Sequence, residues 1–386
     1  MRLPDTKIPP GVGSVLVVDL DAIAHNFRHI QSLAPTAEVG VSIKADAYGL
    51  GAATIAPALA AIGCQTFFAA TAAEGAALRP AIPDTEIVIL NGPDAVSTPL
   101  IIEHRLTPVI NSLAQLDMWR TAAAGKPQTN AAYLHVDTGM SRLGLGEAEV
   151  SLLCTDTARL DGIDVSVVMS HLACADDPSS PINARQRERL LAAAANLSAL
   201  TGPTRTSLAN SAGVFLGPDF HLDIVRAGAS IYGLNVLNQE LSLMHQVIHL
   251  YAEILQVREV DKPATVGYGA THRIARPTRI ATLATGYADG YLRAAGRLTD
   301  HDTRPLATTF IDDAAAPVVG RVSMDLLTVD VSGVPAAAAQ PGAFVELIGD
   351  HFSADDLADV AGTIGYEVLT RLGQRHRRIY RSGDSD

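Results

Sequence analysis

Lys44 ends a short apolar run, residues 39–43, and is the side chain of this sequence best suited to act as a nucleophile. An exposed lysine ammonium has a pKa of about 10.4 and is inert, but partial burial disfavours the charge and frees the amine for Schiff-base chemistry. A lysine at a buried strand end is therefore a candidate attachment point for an aldehyde cofactor. The alternative is a solvated lysine that merely follows a strand.

Four other segments with polar side chains also come directly after predicted strands. They are residues 137–142, His171, residues 210–213 and residues 226–228. Taken singly, an Asn-Ser pair can cap a helix, a histidine can sit in a core, and an arginine can pair on the surface. In a parallel barrel, however, the carboxyl ends of all strands meet at one mouth. The five positions together therefore predict one active site.

Residues 210–213 and Gly228 follow the last two predicted strands, where barrel enzymes often bind a phosphate group. Backbone N–H groups, a serine hydroxyl and a helix N-terminus are suitable donors for such an anion. One ligand with an aldehyde for Lys44 and a phosphate for these loops would use both sides of the mouth. Pyridoxal 5'-phosphate is such a molecule, and it is the predicted cofactor.

The elements that must position these residues are short apolar or β-branched runs that alternate with Ala-rich and Leu-rich segments of helical character. Strands are predicted over residues 39–43, 66–70, 86–90, 106–110, 131–136, 165–169, 206–209 and 222–225, and helices over 51–62, 112–124 and 184–200. This alternation predicts an α/β protein with a closed (β/α)8 TIM-type barrel. A doubly wound open sheet is the alternative, but no Gly-x-Gly-x-x-Gly motif follows the first strand, which favours the barrel.

Beyond about residue 245 the pattern changes to short strand-like runs separated by Pro and Gly. Strands are predicted there over residues 251–257, 279–283, 326–331 and 344–348. We therefore predict two domains, a cofactor-binding barrel over 15–245 and a mainly β domain over 246–386.

The composition argues against several classes of function. The chain has 386 residues, 48% of them hydrophobic and 18% charged, as expected of a well-buried globular protein. Its net charge of −12 argues against a nucleic-acid partner. No run suits a membrane helix and the opening residues lack a signal-peptide pattern, so we predict a cytoplasmic protein. Three cysteines, Cys64, Cys154 and Cys174, lack metal-ligand spacing, and no metal is expected.

Over nearly its whole length the sequence resembles the alanine racemase family. The motifs that carry the resemblance are residues 18–22, 44–49, 137–144, 170–176, 210–213, 226–228, 267–271, 286–291 and 320–325. Each motif alone is weak, but their joint order is highly specific. The family consists of pyridoxal phosphate enzymes with an N-terminal barrel and a C-terminal β domain. The resemblance therefore implies an isomerase that interconverts L-alanine and D-alanine.

The resemblance implies that Lys44 binds the cofactor covalently and acts as one base, and that Tyr268 is the other. Inversion requires removal of the α-proton from one face of the substrate and return of a proton to the opposite face, so two bases are needed. A neutral phenol has a pKa of about 10, so Tyr268 needs nearby positive charge or hydrogen bonding. His171 and Arg226 match the family residues with this supporting role.

Further roles follow from the same match. Arg226 would face the pyridine nitrogen, where a guanidinium can only donate a hydrogen bond. Arg142 would contact the cofactor phenol oxygen and the substrate carboxylate, and Met324 would shape the substrate pocket. The implied cofactor-binding residues are Lys44, Tyr48, Arg142, His171, Asn210, Ser211, Arg226 and Gly228. The residues that match Tyr268 and Met324 come from the partner subunit in the family, which implies a homodimer with shared active sites.

Two positions depart from the family pattern. Two residues before Asp137, where many members have a carbamylated lysine, this chain has His135, whose neutral ring could accept a hydrogen bond from Arg142 but supplies no negative charge. Where some members have a pocket-narrowing tyrosine, this chain has Gln374. A broader or serine-type racemase therefore stays an alternative, and a non-catalytic pyridoxal phosphate carrier is a weaker one. The sequence does not decide between D-alanine biosynthesis and catabolism.

Overall fold

The computed structural model of the chain describes residues 11–125, 130–237, 244–296, 299 and 303–383. These residues divide into two compact units. The barrel unit contains 23–125, 130–231 and 236–237, and the β unit contains 11–22, 232–235, 244–296, 299 and 303–383. The first elements of the described chain are strand β1 (Ser14–Asp19) and helix α1 (Leu20–Leu33), and the boundary between the units falls within α1.

Eight parallel strands form a closed barrel, which confirms the predicted fold class. They are β2 (Glu38–Ser42), β3 (Thr66–Ala69), β4 (Glu86–Ile89), β5 (Thr107–Ile110), β6 (Ala131–His135), β7 (Asp164–Met169), β8 (Arg205–Ser207) and β9 (Ile224–Ala227). The barrel closes where β2 pairs with β9, with Val39 opposite Val225. The strands are short and covered on both faces, which is why the sequence shows continuous apolar runs rather than alternation.

Helices connect the strands of the barrel. They are α3 (Ala52–Ala61), α4 (Ala72–Leu78), α5 (Thr98–Glu103), α6 (Leu113–Ala123), α7 (Glu147–Thr155), α8 (Pro181–Thr201), α9 (Ser211–Val214) and α10 (Pro218–His221), preceded by a left-handed turn, α2 (Lys44–Tyr48). The barrel core includes buried side chains from six of the strands. They are Phe68, Val88, Val109, Tyr133, Val167, Met169 and Ile224.

The β unit is built on one large sheet. Its strands after β1 are β10 (Ile248–Val260), β13 (Thr278–Leu283), β14 (Thr308–Ile311), β15 (Ala314–Pro317), β16 (Leu327–Asp330), β17 (Phe344–Ile348) and β18 (Arg377–Arg381), and a separate pair consists of β11 (Ala264–Val266) and β12 (His272–Ile274). Two helices, α11 (Ala354–Ala361) and α12 (Gly365–Arg371), follow β17. The sheet order is β15-β14-β17-β10-β1-β18, and β13 joins β10 to β16.

Strand β1 departs from the predicted barrel range of 15–245, because it belongs to the sheet of the β unit. It pairs antiparallel with β10, where Leu16 lies opposite Leu250, and parallel with β18. The continuous run Val15 to Val18 is fully buried, so this strand needs two neighbours and covered faces. The predicted boundary after residue 245 lies close to residues 238–243, which are outside the described part of the chain.

Two negative findings concern the described residues. No helix among them is long and apolar enough to cross a membrane. In the same part of the chain, no group of three or more His, Cys, Asp and Glu side chains is arranged to hold a metal ion.

Candidate active site

The guanidinium of Arg226 is buried at the carboxyl end of the barrel strands. Arg226 lies within β9, whereas the sequence predicts that this strand ends at Val225, just before it. Its Nη1 donates to Ser207 Oγ at 2.6 Å, and its Nη2 donates to the Ser170 carbonyl at 2.6 Å and to His171 Nδ1 at 3.2 Å. Burial lowers the pKa of Arg226 to about 10, so the group stays protonated at neutral pH.

His171 follows β7 and is neutral in this environment. Because Arg226 can only donate, His171 Nδ1 is the acceptor and the ring proton is on Nε2. Burial, followed by the positive charges of Arg226, Arg142 and Lys44, holds the pKa of His171 well below its usual value. The ring therefore offers an N–H donor at Nε2, and the protonated Arg226 at its Nδ1 polarises this donor.

Lys44 is half-buried and lies two residues after the end of β2. Burial is the largest cause that lowers its amine pKa, and the charges of Arg142 and Arg226 lower the pKa further. Glu74 opposes them and raises it. A lysine with a lowered pKa has a larger neutral fraction at neutral pH, which is the condition for a nucleophilic amine.

The four residues after Lys44 form a left-handed turn. The φ angles are +52° at Ala45, +55° at Asp46, +54° at Ala47 and +57° at Tyr48. Four consecutive non-glycine residues in this region are rare, because Cβ clashes with the backbone there. The last residue of this turn, Tyr48, is buried.

Tyr48, Ser211 and Gly228 lie together opposite the end of β2. Ser211 Oγ accepts hydrogen bonds from Gly228 N at 2.8 Å and from Ser230 N at 3.3 Å. A Cβ added at Gly228 would lie 2.5 Å from Tyr48 Oη and 3.1 Å from Ser42 Cβ, so only glycine fits this approach. Burial raises the pKa of the Tyr48 phenol, which keeps it a neutral donor.

A phosphorylated cofactor fits this group of residues. We call the group formed by Tyr48, Ser211 and Gly228 the cradle. Beside it, Ser230 Oγ is fully buried and has no hydrogen-bond partner within the described chain, so a polar atom there is unused. Asn210 lies at the same place but is the N-cap of α9, where its Oδ1 accepts from Gly213 N at 2.9 Å. Asn210 therefore shapes the loop that carries Ser211.

The loop after β6 is organised by Asp137. Its Oδ1 accepts hydrogen bonds from the backbone N–H groups of Gly139, Met140 and Ser141 at 2.9, 3.0 and 3.1 Å. Burial tends to raise the pKa of Asp137, but these hydrogen bonds hold it below its usual value. Arg142 follows the loop, is exposed, and makes no hydrogen bond or ion pair with the described residues. Its guanidinium is therefore available to an anionic ligand.

His135 ends β6 and is fixed in one tautomer by Asn111. Asn111 Nδ2 donates to the carbonyl groups of Leu90 and Val109, so its Oδ1 accepts from His135 Nδ1 at 2.7 Å. Burial is the main cause that lowers the pKa of His135 to about 4, and the ring is neutral at neutral pH. Among the described residues no hydrogen bond joins His135 to Arg142, although the bare Nε2 can accept one.

Gln186, on α8, joins two of the site loops and is not among the site residues that the sequence predicts. Its Nε2 donates to the His171 carbonyl at 2.9 Å and to Thr138 Oγ1 at 3.2 Å, while its Oε1 accepts from Ala173 N at 2.9 Å. Thr138 Oγ1 also lies 2.7 Å from Ser170 Oγ. A glutamine within an Ala-rich and Leu-rich helix gives no sequence signal of this role, which depends on the neighbouring loops.

Tyr268 and Met324 lie in the β unit, apart from the barrel residues in the chain. Tyr268 begins a short 3-10 turn between Gly267 and Gly269, both with positive φ, and is 71% exposed. Met324 is 54% exposed. A Cβ at Gly269 would lie 2.9 Å from the Arg321 guanidinium, so the two segments meet within this unit. Aromatic and apolar side chains left this exposed are suited to contact with another surface.

Models of two protein families match the chain. The alanine racemase N-terminal domain matches residues 18–236, and the alanine racemase C-terminal domain matches residues 247–380. Together they span most of the sequence.

Similar proteins carry the same description. The alanine racemase of Rhodospirillum rubrum is 45% identical over 95% of this chain and 96% of its own length. A protein of Mesorhizobium japonicum named alanine racemase, catabolic, is 42% identical over 96% and 94%. The crystal structure of an alanine racemase from Bartonella henselae with covalently bound pyridoxal phosphate superposes with a TM-score of 0.86 at 33% identity, covering 96% of this chain and 99% of that one.

Proposed function

The chain belongs to the alanine racemase family, and from this membership we propose that it interconverts L-alanine and D-alanine with pyridoxal 5'-phosphate, using Lys44 and Tyr268 as its two bases. The observation that supports the assignment most directly is the lowered pKa of the half-buried Lys44 amine beside a buried cation and a hydroxyl cradle. This arrangement offers an amine for an aldehyde and donors for a phosphate at one barrel mouth.

Pyridoxal 5'-phosphate, when bound, supplies the electron withdrawal that makes the α-proton of an amino acid removable. Tyr48, Ser211 and the Gly228 backbone would hold its phosphate, and Lys44 its aldehyde carbon. Arg226 would donate to the ring nitrogen, and because a guanidinium keeps its proton, that nitrogen would stay unprotonated. Asn210 would support this set through the loop that carries Ser211.

Lys44 and Tyr268 act on opposite faces of the substrate in this proposal. One removes the α-proton and the other returns a proton, so the configuration inverts. His171 Nε2–H, polarised by Arg226 at its Nδ1, is the donor that would stabilise the Tyr268 phenolate. Because His171 is neutral, the positive charge comes from Arg226 rather than from an imidazolium.

Arg142 would bind the carboxylate of the amino acid and the phenol oxygen of the cofactor, since its guanidinium has no partner among the described residues. Met324 would line the pocket for the side chain of the substrate, and the methyl group of alanine is small enough to fit there.

The active form is a homodimer in which Tyr268 and Met324 of one subunit complete the barrel mouth of the other. Support comes from their exposure of 71% and 54%, which a partner subunit would cover. We place the enzyme in the cytoplasm, because its three cysteines are unpaired, as is usual in a reducing compartment.

The test uses single enantiomers in deuterated water. We expect L-alanine and D-alanine each to lose optical rotation while deuterium enters the α-position, and serine to react more slowly. In parallel, borohydride should fix the cofactor on Lys44. The sequence contains only four lysines, so Lys7, Lys126 and Lys262 are internal controls for the peptide map. A label on one of these three, or α-exchange without loss of rotation, contradicts the proposal.

A further inference from the structure

The left-handed turn after Lys44 requires support from outside itself. Left-handed conformation is strained for residues other than glycine, and Ala45 to Tyr48 are four such residues in succession. Hydrogen bonds inside the turn, such as Ala47 N to Ile43 O at 2.9 Å and Gly49 N to Ala45 O at 2.7 Å, close it locally. They resemble the bonds that a right-handed helix would make without such strain, so they do not explain the choice of hand.

Glu74 connects this turn to the neighbouring strand. Its Oε1 accepts from Ala45 N at 2.9 Å, and its Oε2 accepts from Ala70 N at 2.8 Å and from Thr71 N at 3.3 Å. The carboxylate is itself fixed, because Glu74 is the third residue of α4 in a capping box with Thr71. One carboxylate thus joins the residue after Lys44 to the carboxyl end of β3.

We propose that Glu74 is a positioning residue for Lys44, and that its carboxylate holds the left-handed turn and so fixes where the lysine amine lies. The inference rests on the proposed function of Lys44. The negative charge of Glu74 also raises the pKa of the Lys44 amine, against the lowering by burial, Arg142 and Arg226, so the proposed role rests on its hydrogen bonds. Within the described chain, Glu74 is the only side chain that accepts a hydrogen bond from Ala45 N.

A glutamine cannot replace both contacts. The two oxygens of Glu74 each accept from backbone N–H groups, whereas an amide has one oxygen and one NH2 group. In Glu74→Gln, either Ala45 N or the Ala70 and Thr71 amides would therefore face a donor instead of an acceptor. We expect faster hydrogen exchange in the peptide that contains Ala45, and a kcat for alanine that is lower by about 10- to 100-fold, since small misplacements of reacting groups have effects of this size.

Glu149→Gln is the matched control. Glu149 is also the third residue of a helix, α7, where its Oε2 accepts from the N-cap Gly146 N at 2.9 Å, but it makes no hydrogen bond or ion pair with residues 44–49. We expect this variant to keep the exchange rate of the Ala45 peptide and the kcat of the wild type. Equal losses in both variants would mean that Glu74 only caps its helix, and would overturn the inference.

A double variant tests the strain itself. Glycine adopts positive φ without penalty, so Ala45→Gly should partly restore exchange protection and kcat in the Glu74→Gln background. The double variant also serves if the single one does not fold. Wild-type exchange and kcat in Glu74→Gln would refute the positioning role. If the wild-type holoenzyme instead shows neither racemisation nor a label on Lys44, the proposed function fails, while the exchange experiment still reports on the Glu74 contact.

Discussion

Most candidate site residues of the barrel unit are held by contacts within that unit, with the exposed Arg142 as the exception, whereas the candidates of the β unit are exposed. In the barrel unit, Arg226 and Ser211 are buried and hydrogen-bonded, and His171 is held in one tautomer. In the β unit, Tyr268 and Met324 are exposed, and Tyr268 lies on a short turn between two glycines. In the proposed enzyme, one chain would build the cofactor half of the site by itself, whereas the second base and the pocket wall would come from a second subunit.

The largest expected effect comes from mixing two inactive variants. Lys44→Ala and Tyr268→Phe should each lose racemisation, by about 10²-fold to 10⁴-fold or more, because each removes one base. If sites are shared, dissociating and reassociating an equimolar mixture gives some dimers in which one site has both wild-type residues. About a quarter of the sites would then be intact, from the two-fold symmetry of the dimer. Alanine racemisation before and after reassociation is the measurement.

Mixing without the dissociation step is the control, and it should stay inactive. Tyr268→Phe alone should retain the cofactor, and the unfolding free energy of its separated subunits should stay within about 0.5 kcal/mol of the wild type, as an exposed position predicts. No recovery after verified exchange of subunits would contradict the difference drawn between the two units, because it would mean that each chain supplies both bases to its own site.

The difference between the units also decides what the sequence could reveal. The eight barrel strands were predictable to within two residues at each end, because a strand buried on both faces leaves a continuous apolar run. Strand β1 has the same kind of run but was missed, since its partner β18 is more than 350 residues away and local pattern carries no information on such pairing. The position of the candidate site was predictable, because the carboxyl ends of parallel strands all lie at the same end of a barrel.

The residues that hold the site together were less accessible to sequence reasoning. The left-handed turn contains no glycine, so its residue types do not predict it. Its residues are Ala45, Asp46, Ala47 and Tyr48. Gln186 bonds mainly backbone atoms of loops distant in sequence, and such contacts leave no spacing to recognise. The neutral state of His135 likewise depends on its burial and on Asn111, which the sequence places 24 residues earlier.

Gly228→Ala should have an intermediate effect, confined to the barrel unit. The added Cβ would press on Tyr48 Oη and Ser42 Cβ, and overpacking of this kind costs about 1–3 kcal/mol. Since the displaced hydroxyl belongs to the proposed phosphate cradle, we expect the cofactor Kd to rise by about 5- to 150-fold, measured by titration of the apoprotein. Gly146→Ala is the control, because its Cβ would meet only Glu149 Oε2 at 3.8 Å. Equal cofactor binding in both variants would remove the cradle from the proposal.

Met324→Ala should have the smallest effect of these substitutions. It tests the difference between the two units by comparing separated subunits with the dimer. Because Met324 is 54% exposed in one chain, its truncation should change the unfolding free energy of separated subunits by no more than about 0.5 kcal/mol. In the dimer the same change should enlarge the side-chain pocket, and a difference of one small group in a pocket is worth about 1–3 kcal/mol in selectivity. We therefore expect kcat/KM for serine to rise relative to alanine while cofactor binding is unchanged. Altered cofactor affinity with unchanged selectivity would instead mean that Met324 supports cofactor binding. The proposed division, with the cofactor bound by the barrel unit and the substrate pocket lined by the β unit, would then be wrong.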